Sequence, residues 1–334
     1  MEQIKQLLAL MDRPAFCVKD GRILAANDRA LSLQVPLDAE LAPLLTAGLD
    51  AWAEFRSGYL ALELALCGSR VPATVTPMEG YQLFTLEPED TEPEMRLLSL
   101  AAQELRGPLS DVMTLAEKLE DDPDRVAGIS RGLHRLLRIV GNMTPPPPFR
   151  PEMTDVNALL REVWDSTQPA CEALGIRFEF LASPRPVFSW ADGQLLTRAI
   201  HNLLSNSMKF SPGCEIRLQL TQRRGYYHIT FRDSGGALPP LSDPFSQALR
   251  QPGLEDPRNG LGMGLRLVRT AALSHGGIAL VTTPREGGVQ VQLSLPVRQD
   301  GPVRSNRLRI SYTGEQDPLL VELSDVLPPD FYKQ

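Results

Sequence analysis

Short apolar runs separated by turn signals characterise residues 1 to about 90. The run at residues 15–18 predicts a strand, Lys19-Asp20-Gly21 predicts a hairpin turn, and residues 22–26 predict the returning strand. Asn27 then predicts the cap of a short helix. Further strands are expected at 59–67, 71–77 and 81–86. This pattern predicts a small unit of strands with short helices.

A helical repeat replaces the short runs between residues 92 and 143. Apolar residues recur at helical spacing on both sides of Asp121-Asp122-Pro123-Asp124. The positions are Leu97, Ala101, Leu105, Leu109, Val112 and Leu119, and then Val126, Ile129, Leu133, Leu136 and Val140. One partner helix cannot cover such stripes, so we expect two helical hairpins to form a dimeric four-helix bundle. An ordinary coiled linker is the alternative.

Pro145-Pro146-Pro147-Pro148 cannot be helical and predicts a stiff linker. The region beyond it, residues 149–297, carries most of the candidate chemistry. Residues 298–334 are an extension in which Arg307–Thr313 and Leu319–Leu323 are candidate strands of a hairpin. This extension either packs on the preceding domain or engages a partner.

Composition fits a multidomain protein of the cytoplasm. A length of 334 residues suggests two or three domains, and 43% apolar residues suffice for their cores. No run reaches the roughly 18–20 apolar residues that span a bilayer, and residues 1–5 lack the layout of a secretion signal, so we expect no membrane insertion. A net charge of −7 argues against general nucleic-acid binding. The widely spaced cysteines favour incidental thiols over a metal site or disulfide.

Residues 192–212 predict a helix with polar side chains on one face. Asn202, Asn206 and Lys209 occur at i, i+4 and i+7, which places them on the same side of a helix. Amide oxygens suit Mg²⁺, and an ammonium group suits phosphate oxygens. Phe210, at the end of this helix, is a candidate either for contact with a nucleotide base or for burial.

Two glycine-containing segments follow. The first is Asp233-Ser234-Gly235-Gly236-Ala237, after a strand at residues 226–231. The second is Gly260-Leu261-Gly262-Met263-Gly264, which opens a helix whose N-terminal amides can approach phosphates. Alone, Gly-x-Gly-x-Gly could be a mobile loop, and it is not the dinucleotide fingerprint. The chain contains no Walker-type Gly-Lys-Ser/Thr segment.

In this order, the motifs resemble those of the ATP-binding domain shared by histidine kinases, gyrase and Hsp90-type proteins. Residues 192–212 resemble the N box, 233–237 the G1 box, Phe245 the F-box segment, and 260–264 the G2 box. The resemblance implies an α/β two-layer sandwich that binds Mg-ATP, with Asn202 and Asn206 serving Mg²⁺ through the nucleotide phosphates. It assigns Asp233 to the adenine amino group, and Ala237 replaces the second G1 glycine. The candidate nucleotide-binding residues are Asn202, Asn206, Lys209, Phe210, Asp233, Gly235, Gly260, Gly262 and Gly264.

Residues 101–109, Ala-Ala-Gln-Glu-Leu-Arg-Gly-Pro-Leu, resemble the dimerisation-helix motif of sensor histidine kinases, His-Glu-Leu-Arg-Thr-Pro-Leu. Gln103 stands where that motif has its phosphoacceptor histidine, and a delocalised carboxamide nitrogen is not a useful nucleophile. Glu104, by resemblance the general base, therefore has no acceptor proton to take. Gly107 replaces the residue that positions water in phosphatase-active relatives. His134, on the second helix, is either a displaced acceptor or, as we expect, a solvated helix residue.

The strand, turn, strand, Ala-Asn, helix pattern at the start of the chain resembles PAS sensor domains. The complete expectation is a multidomain α+β protein: a PAS-like α/β sensor at 1–91, a dimerisation hairpin at 92–144, a histidine-kinase-type ATP-binding domain at 149–297, and an extension at 298–334.

We expect a cytosolic homodimer that binds Mg-ATP, lacks autophosphorylation, and regulates a partner histidine kinase or response regulator. The alternatives are an active kinase that uses another acceptor or phosphorylates a partner in trans, and a dimeric scaffold without nucleotide.

Overall fold

The computed structural model describes residues 2–87, 123–143, 148–236, 244–245, 264–299 and 317–333, with the single positions 102, 105, 109 and 112. Its helices are α1 (Glu2–Ala9), α2 (Asp28–Ser32), α3 (Leu49–Glu54), α4 (Pro123–Met143), α5 (Val156–Ala173), α6 (Gly193–Phe210), α7 (Gly264–Ser274) and α8 (Pro318–Glu322). Its strands are β1 (Ala15–Lys19), β2 (Arg22–Ala26), β3 (Tyr59–Leu66), β4 (Ser69–Met78), β5 (Tyr81–Leu86), β6 (Glu152–Asp155), β7 (Arg177–Leu181), β8 (Phe188–Ala191), β9 (Glu215–Arg223), β10 (Tyr226–Asp233), β11 (Ile278–Thr282) and β12 (Gln290–Pro296).

The first five strands form an antiparallel sheet in the order β2-β1-β5-β4-β3. The predicted β1–β2 hairpin is confirmed, and Asp20 and Gly21 in its turn both have positive φ angles. Asn27 caps α2, as predicted, because its side chain accepts a hydrogen bond from the Ala30 amide. The same side chain accepts from the Ala15 amide at 3.0 Å and donates to the Arg13 carbonyl at 2.7 Å. The strands predicted at 59–67, 71–77 and 81–86 are also present.

The second half of the chain folds as a sheet covered by helices. Strands β11, β12, β10, β9 and β7 are adjacent, and helices α5, α6 and α7 share one hydrophobic core with them. The remaining strands, β6 and β8, pair separately. This arrangement confirms the predicted α/β sandwich. Phe245, the F-box residue, is fully buried in the same core.

The two sheets are continuous, which the sequence did not predict. Strand β3 pairs with β11 in antiparallel register, with Ala61 opposite Ala279 and Tyr59 opposite Val281. The result is a ten-stranded sheet in the order β2-β1-β5-β4-β3-β11-β12-β10-β9-β7. Arg269 on α7 forms an ion pair with Glu87, just after β5. The N-terminal unit and the sandwich are therefore joined by backbone hydrogen bonds and by an ion pair whose arginine is buried.

Helix α4 confirms the second helix of the predicted hairpin, and residues 102, 105, 109 and 112 are helical. Leu133 and Leu137 are buried together with Val321, and Leu109 packs against them. Ile129 and Leu136 on α4 remain 44% and 46% exposed. Leu105 and Val112 are exposed as well. The stripe is therefore only half covered within one chain, and the four-helix bundle stays a prediction.

The C-terminal extension differs from its prediction. Leu319–Leu323 is not a strand, because Pro318–Glu322 forms helix α8 with Asp317 as its cap. Asp317 accepts from the Leu319 amide, and proline is favoured in the first turn of a helix. A 3-10 turn follows at Pro329–Tyr332, whereas Arg307–Thr313 lies outside the described residues. Of the two alternatives for the extension, packing on the rest of the chain is observed.

Within the described ranges, none of the helices combines the length and the apolar character that crossing a membrane requires.

The joint between the sheets can be tested at Gly58, which precedes β3 with a φ of +86°. A β carbon there would lie 2.1 Å from the Val281 carbonyl oxygen, so Gly58→Ala forces the β3–β11 pairing apart. Gly80→Ala is the matched control, because Gly80 has a φ of +79° and open space around it. We expect Gly80→Ala to cost about 1 kcal/mol through backbone strain. Gly58→Ala should cost about 1–3 kcal/mol more in a denaturant titration. Equal losses would show that the joint does not contribute to stability.

Candidate functional site

Helix α6 carries the predicted N-box residues, and its start is fixed by two contacts. The Asp192 carboxylate caps the helix by accepting from the Leu195 amide at 3.0 Å. The Asp192 amide donates to Nε2 of His275 at 3.0 Å, while Nδ1 of His275 contacts the Ala271 carbonyl at 2.7 Å. The histidine after α7 therefore holds the beginning of α6 in place. Burial is the largest influence on His275 and lowers its pKa, which favours the neutral ring that this arrangement needs.

The N box and the last G2 glycine meet where α6 and α7 pack. Gly264 begins α7, and a β carbon at this position would lie 3.1 Å from Oδ1 of Asn202 and 3.3 Å from Nδ2 of Asn206. A side chain at this position would be tight against both amides, so the last G2 glycine lies in direct proximity to the N box. Oδ1 of Asn202 is buried and has no hydrogen-bond partner among the described residues. A buried amide oxygen of this kind fits the predicted Mg²⁺ site, because magnesium prefers oxygen ligands.

Asp233, at the end of β10, is held by three donors. Ser207 on α6 donates to its Oδ2 at 2.8 Å, and the amides of Gly235 and Val289 donate to its Oδ1 at 2.9 and 3.3 Å. Gly235 cannot be enlarged, because a β carbon there would lie 1.7 Å from Oγ of Ser211. The G1 segment is therefore packed directly on the C-terminal part of α6.

Phe210 ends α6 with 59% of its surface exposed, so the alternative of a buried packing role is wrong. The same helix thus presents Asn202, Asn206 and Lys209 along one side and Phe210 at its end. Gly260, Gly262 and Ala237 lie outside the described residues, as do the acceptor-position residues Gln103 and Glu104.

Two carboxylates that the sequence analysis did not single out contact the N box. Glu322 accepts from Nδ2 of Asn202 at 3.0 Å, and Asp325 forms an ion pair with Lys209. Both follow the Asp317-Pro318 helix start, a signal that could have predicted α8 in place of a strand. No local pattern indicates their contact with α6, since 120 residues separate Asn202 from Glu322.

Arginines surround the same two carboxylates. On α6, Nε of Arg198 donates to Glu322 at 3.0 Å. On α4, Arg135 and Arg138 pair with Asp325 at 2.9 and 2.5 Å. Arg131, one turn earlier on α4, donates to the backbone carbonyls of residues 324 and 325. The result is a cluster of cations from two helices around two anions from the C-terminal extension, in which Arg138 and Arg198 are buried and Arg135 is 41% exposed.

Charge and burial act together on the ion pair at the end of this cluster. Burial, followed by the positive charge of Arg138, lowers the pKa of Lys209, whereas Asp325 opposes this change. Burial alone would raise the pKa of Asp325, but Arg138 and Lys209 together bring it below its ordinary value. Asp325 is therefore the described counter-charge of the buried Lys209, and it shares Arg138 with Glu322.

His134 is also covered by the extension. Its side chain is 2% exposed, its ring lies 5.0 Å from the ring of Tyr332, and Nδ1 contacts the Ser130 carbonyl at 2.8 Å. The expectation of a solvated helix histidine is wrong, because Tyr332 folds back over this part of α4.

Comparisons with known proteins agree with the fold. Residues 191–299 match the family model "Histidine kinase-, DNA gyrase B-, and HSP90-like ATPase". The chain is 26% identical over 224 residues to the histidine protein kinase DivJ of Caulobacter vibrioides, covering 60% of this chain and 37% of DivJ. It is 29% identical over 226 residues to the sensor protein SphS of Synechococcus elongatus, covering 60% of this chain and 54% of SphS. The chain thus spans about half, or less, of the length of these relatives.

Among solved structures, full-length ShkA in complex with AMPPNP has a similar fold, with a TM-score of 0.50 and 21% identity over 62% of this chain and 47% of ShkA. The candidate nucleotide-binding residues lie within the matched region 191–299, whereas the α4 arginines and the C-terminal carboxylates that contact them lie outside it. Residues 191–299 therefore form a domain similar to the ATPase of histidine kinases, DNA gyrase B and HSP90, and about 60% of the chain is similar in sequence to histidine kinases and sensor proteins.

Proposed function

We propose that this chain is a two-component signalling protein that binds Mg-ATP in its sandwich domain but does not phosphorylate its own hairpin. The observation that carries the nucleotide proposal is the meeting of Asn202, Asn206 and Gly264 at the α6–α7 contact, with Asp233 held on the same helix. The absence of autophosphorylation rests on Gln103, because its amide nitrogen is a poor nucleophile. AMPPNP in the similarly folded ShkA supports the nucleotide class.

Each of these residues has one task in the proposal. Asp233, whose orientation is set by Ser207 and Gly235, accepts from the adenine amino group. Lys209 pairs with phosphate oxygens, and the amides of Asn202 and Asn206 serve the metal. Mg²⁺ would neutralise part of the phosphate charge when it is bound.

The N-terminal unit, residues 1–91, would be a PAS-like sensor in this proposal. Its hairpin, its Asn27 cap and the five antiparallel strands support the resemblance. Because β3 pairs with β11, a conformational change in this unit would be transmitted to the nucleotide domain. The proposed partners are a histidine kinase or a response regulator.

Nucleotide binding is tested with Asp233→Asn and Asn206→Ala. We expect wild-type protein to release heat with ATP and Mg²⁺, and each variant to lose about tenfold or more in affinity, because a hydrogen bond to a charged group or a metal contact is removed. Asp20→Asn, an exposed change of the same chemistry in the β1–β2 turn, is the control and should match wild type. No heat and no nucleotide-dependent rise in melting temperature for the wild type would favour a scaffold.

Autophosphorylation is tested by incubation with radiolabelled ATP. We expect no acid-labile phosphate on wild-type protein or on Gln103→Ala, because neither presents an imidazole at this position. Gln103→His should gain label, since Glu104, Pro108 and Leu109 match the motif and the ATP-binding motifs are mostly intact. Phosphohistidine at His134 in the wild type would contradict the proposal. The burial of His134 under Tyr332 supports the opposite result. Label on an added partner kinase would identify phosphorylation in trans.

Dimerisation is tested on the exposed half of the α4 stripe. We expect a homodimer in light scattering at micromolar concentration, because Ile129, Leu136, Leu105 and Val112 leave an apolar face uncovered in one chain. Ile129→Glu with Leu136→Glu should give a monomer. Leu31→Glu with Leu37→Glu, at exposed positions of the N-terminal unit, should leave the dimer intact. A fragment of residues 149–297 is expected to be monomeric, and a monomeric full-length chain would rule out the bundle.

A further inference from the structure

The C-terminal segment, defined here as residues 317–333, packs into the interior of the protein. Val321 packs with Leu133 and Leu137 of α4, and Leu323 and Leu327 are fully buried in the core of the sandwich. Its end is fixed by Tyr332, whose hydroxyl donates to the Leu320 carbonyl at 2.8 Å. The segment therefore has a defined conformation and a defined place between α4 and α6.

That place brings its carboxylates onto the N box. Glu322 is 1% exposed and accepts from Arg198 and Asn202, each at 3.0 Å. Asp325 accepts from Lys209, whose side chain is only 4% exposed. Lys209 is the donor that the proposed function gives to the phosphates, and Asn202, whose Nδ2 donates to Glu322, is one of the two amides that it gives to the metal.

Carboxylate and phosphate groups bind to the same kind of hydrogen-bond donor. Both are anions that accept charge-assisted hydrogen bonds, and two anions cannot share one buried ammonium group without strong repulsion. Lys209 can therefore pair with Asp325 or with a phosphate, but not with both at full strength. Arg135 and Arg138 hold Asp325 in this position, so the pairing does not depend on Lys209 alone.

We propose that the C-terminal segment is a built-in competitor of the triphosphate: Asp325 occupies the Lys209 ammonium group that would pair with phosphate oxygens, and Glu322 adds a second carboxylate at Nδ2 of Asn202, the amide whose oxygen would serve the metal. The inference rests on the proposed nucleotide site. The bound segment blocks the end of the nucleotide site that would hold the phosphates. Its described polar contacts with the rest of the chain lie on α4 and α6, so the Asp233 end stays available to the base. Because the same segment ties α4 to α6 through Glu322, it also holds the sandwich domain against the hairpin. A triphosphate that displaces it releases both restraints.

The first test compares ligands with and without phosphates on the full chain. Glu322→Gln with Asp325→Asn removes both charges at constant size, and Asp330→Asn, an exposed acid that pairs with Lys333 in the same segment, is the matched control. In calorimetry with ATP and Mg²⁺, the double variant should bind about tenfold more tightly than wild type, because a competing state is removed. Adenosine, which lacks phosphates, should bind both proteins equally, and the control should match wild type with both ligands.

The second test uses only the wild-type chain, so its result does not require any variant to fold. Amide hydrogen exchange over residues 319–327 should become faster when ATP and Mg²⁺ are saturating, since competition is reciprocal. Adenosine or Mg²⁺ alone should leave the protection of these amides unchanged.

The outcomes separate the two proposals. If the double variant binds ATP equally or more weakly, or if hydrogen-exchange protection of residues 319–327 is unchanged at saturating ATP, the competitor proposal is wrong. The proposed nucleotide site is not contradicted by either result. If neither wild type nor the double variant binds ATP, the nucleotide site itself is wrong and the competitor falls with it.

Discussion

The buried charge cluster between α4, α6 and the C-terminal segment is the interaction on which the relative placement of these elements depends. Arg138, Arg198 and Lys209 are almost entirely buried, and their described counter-charges are Glu322 and Asp325. Removing one partner of a buried pair costs about 3–5 kcal/mol, because the remaining charge stays desolvated. Such a cluster is costly to rearrange, so the hairpin helix, the N-box helix and the segment are held together as one unit. A ligand with several negative charges, such as a triphosphate, would compete with Glu322 and Asp325 for the same cations.

A second constraint connects the opposite side of the sandwich to the N-terminal unit. Strand β3 would otherwise present an unpaired edge, and so would β11, so their pairing satisfies the backbone groups of both. Arg269 on α7 is paired with Glu87 where the N-terminal unit ends. Helix α7 begins at Gly264, beside the N-box amides. The contact with the N-terminal unit and the candidate nucleotide site are therefore located on the same short helix.

Local signals in the sequence predicted the elements well. The β1–β2 hairpin follows from its turn, where Asp20 and Gly21 adopt positive φ, and α2 follows from the Asn27 cap. The polar face of α6 follows from helical spacing, so Asn202, Asn206 and Lys209 were placed correctly on one helix. These features depend on residues within a few positions of one another. The nucleotide, the metal, the PAS identity and the roles of Gln103 and Glu104 stay predictions.

Contacts between distant residues were decided only by the tertiary structure. The Asp317 cap and Pro318 are local signals for the helix at Pro318–Glu322, but only burial against α4 fixes where this helix lies. His134 is buried because Tyr332 returns from the far end of the chain. The partner of Lys209, Asp325, is 116 residues away. The sequence by itself determined the β1–β2 hairpin, the Asn27 cap, the polar face of α6 and the motif residues through short-range spacing. The joined sheets and the occupied N box arise from packing and charge pairing between segments, which no local pattern encodes.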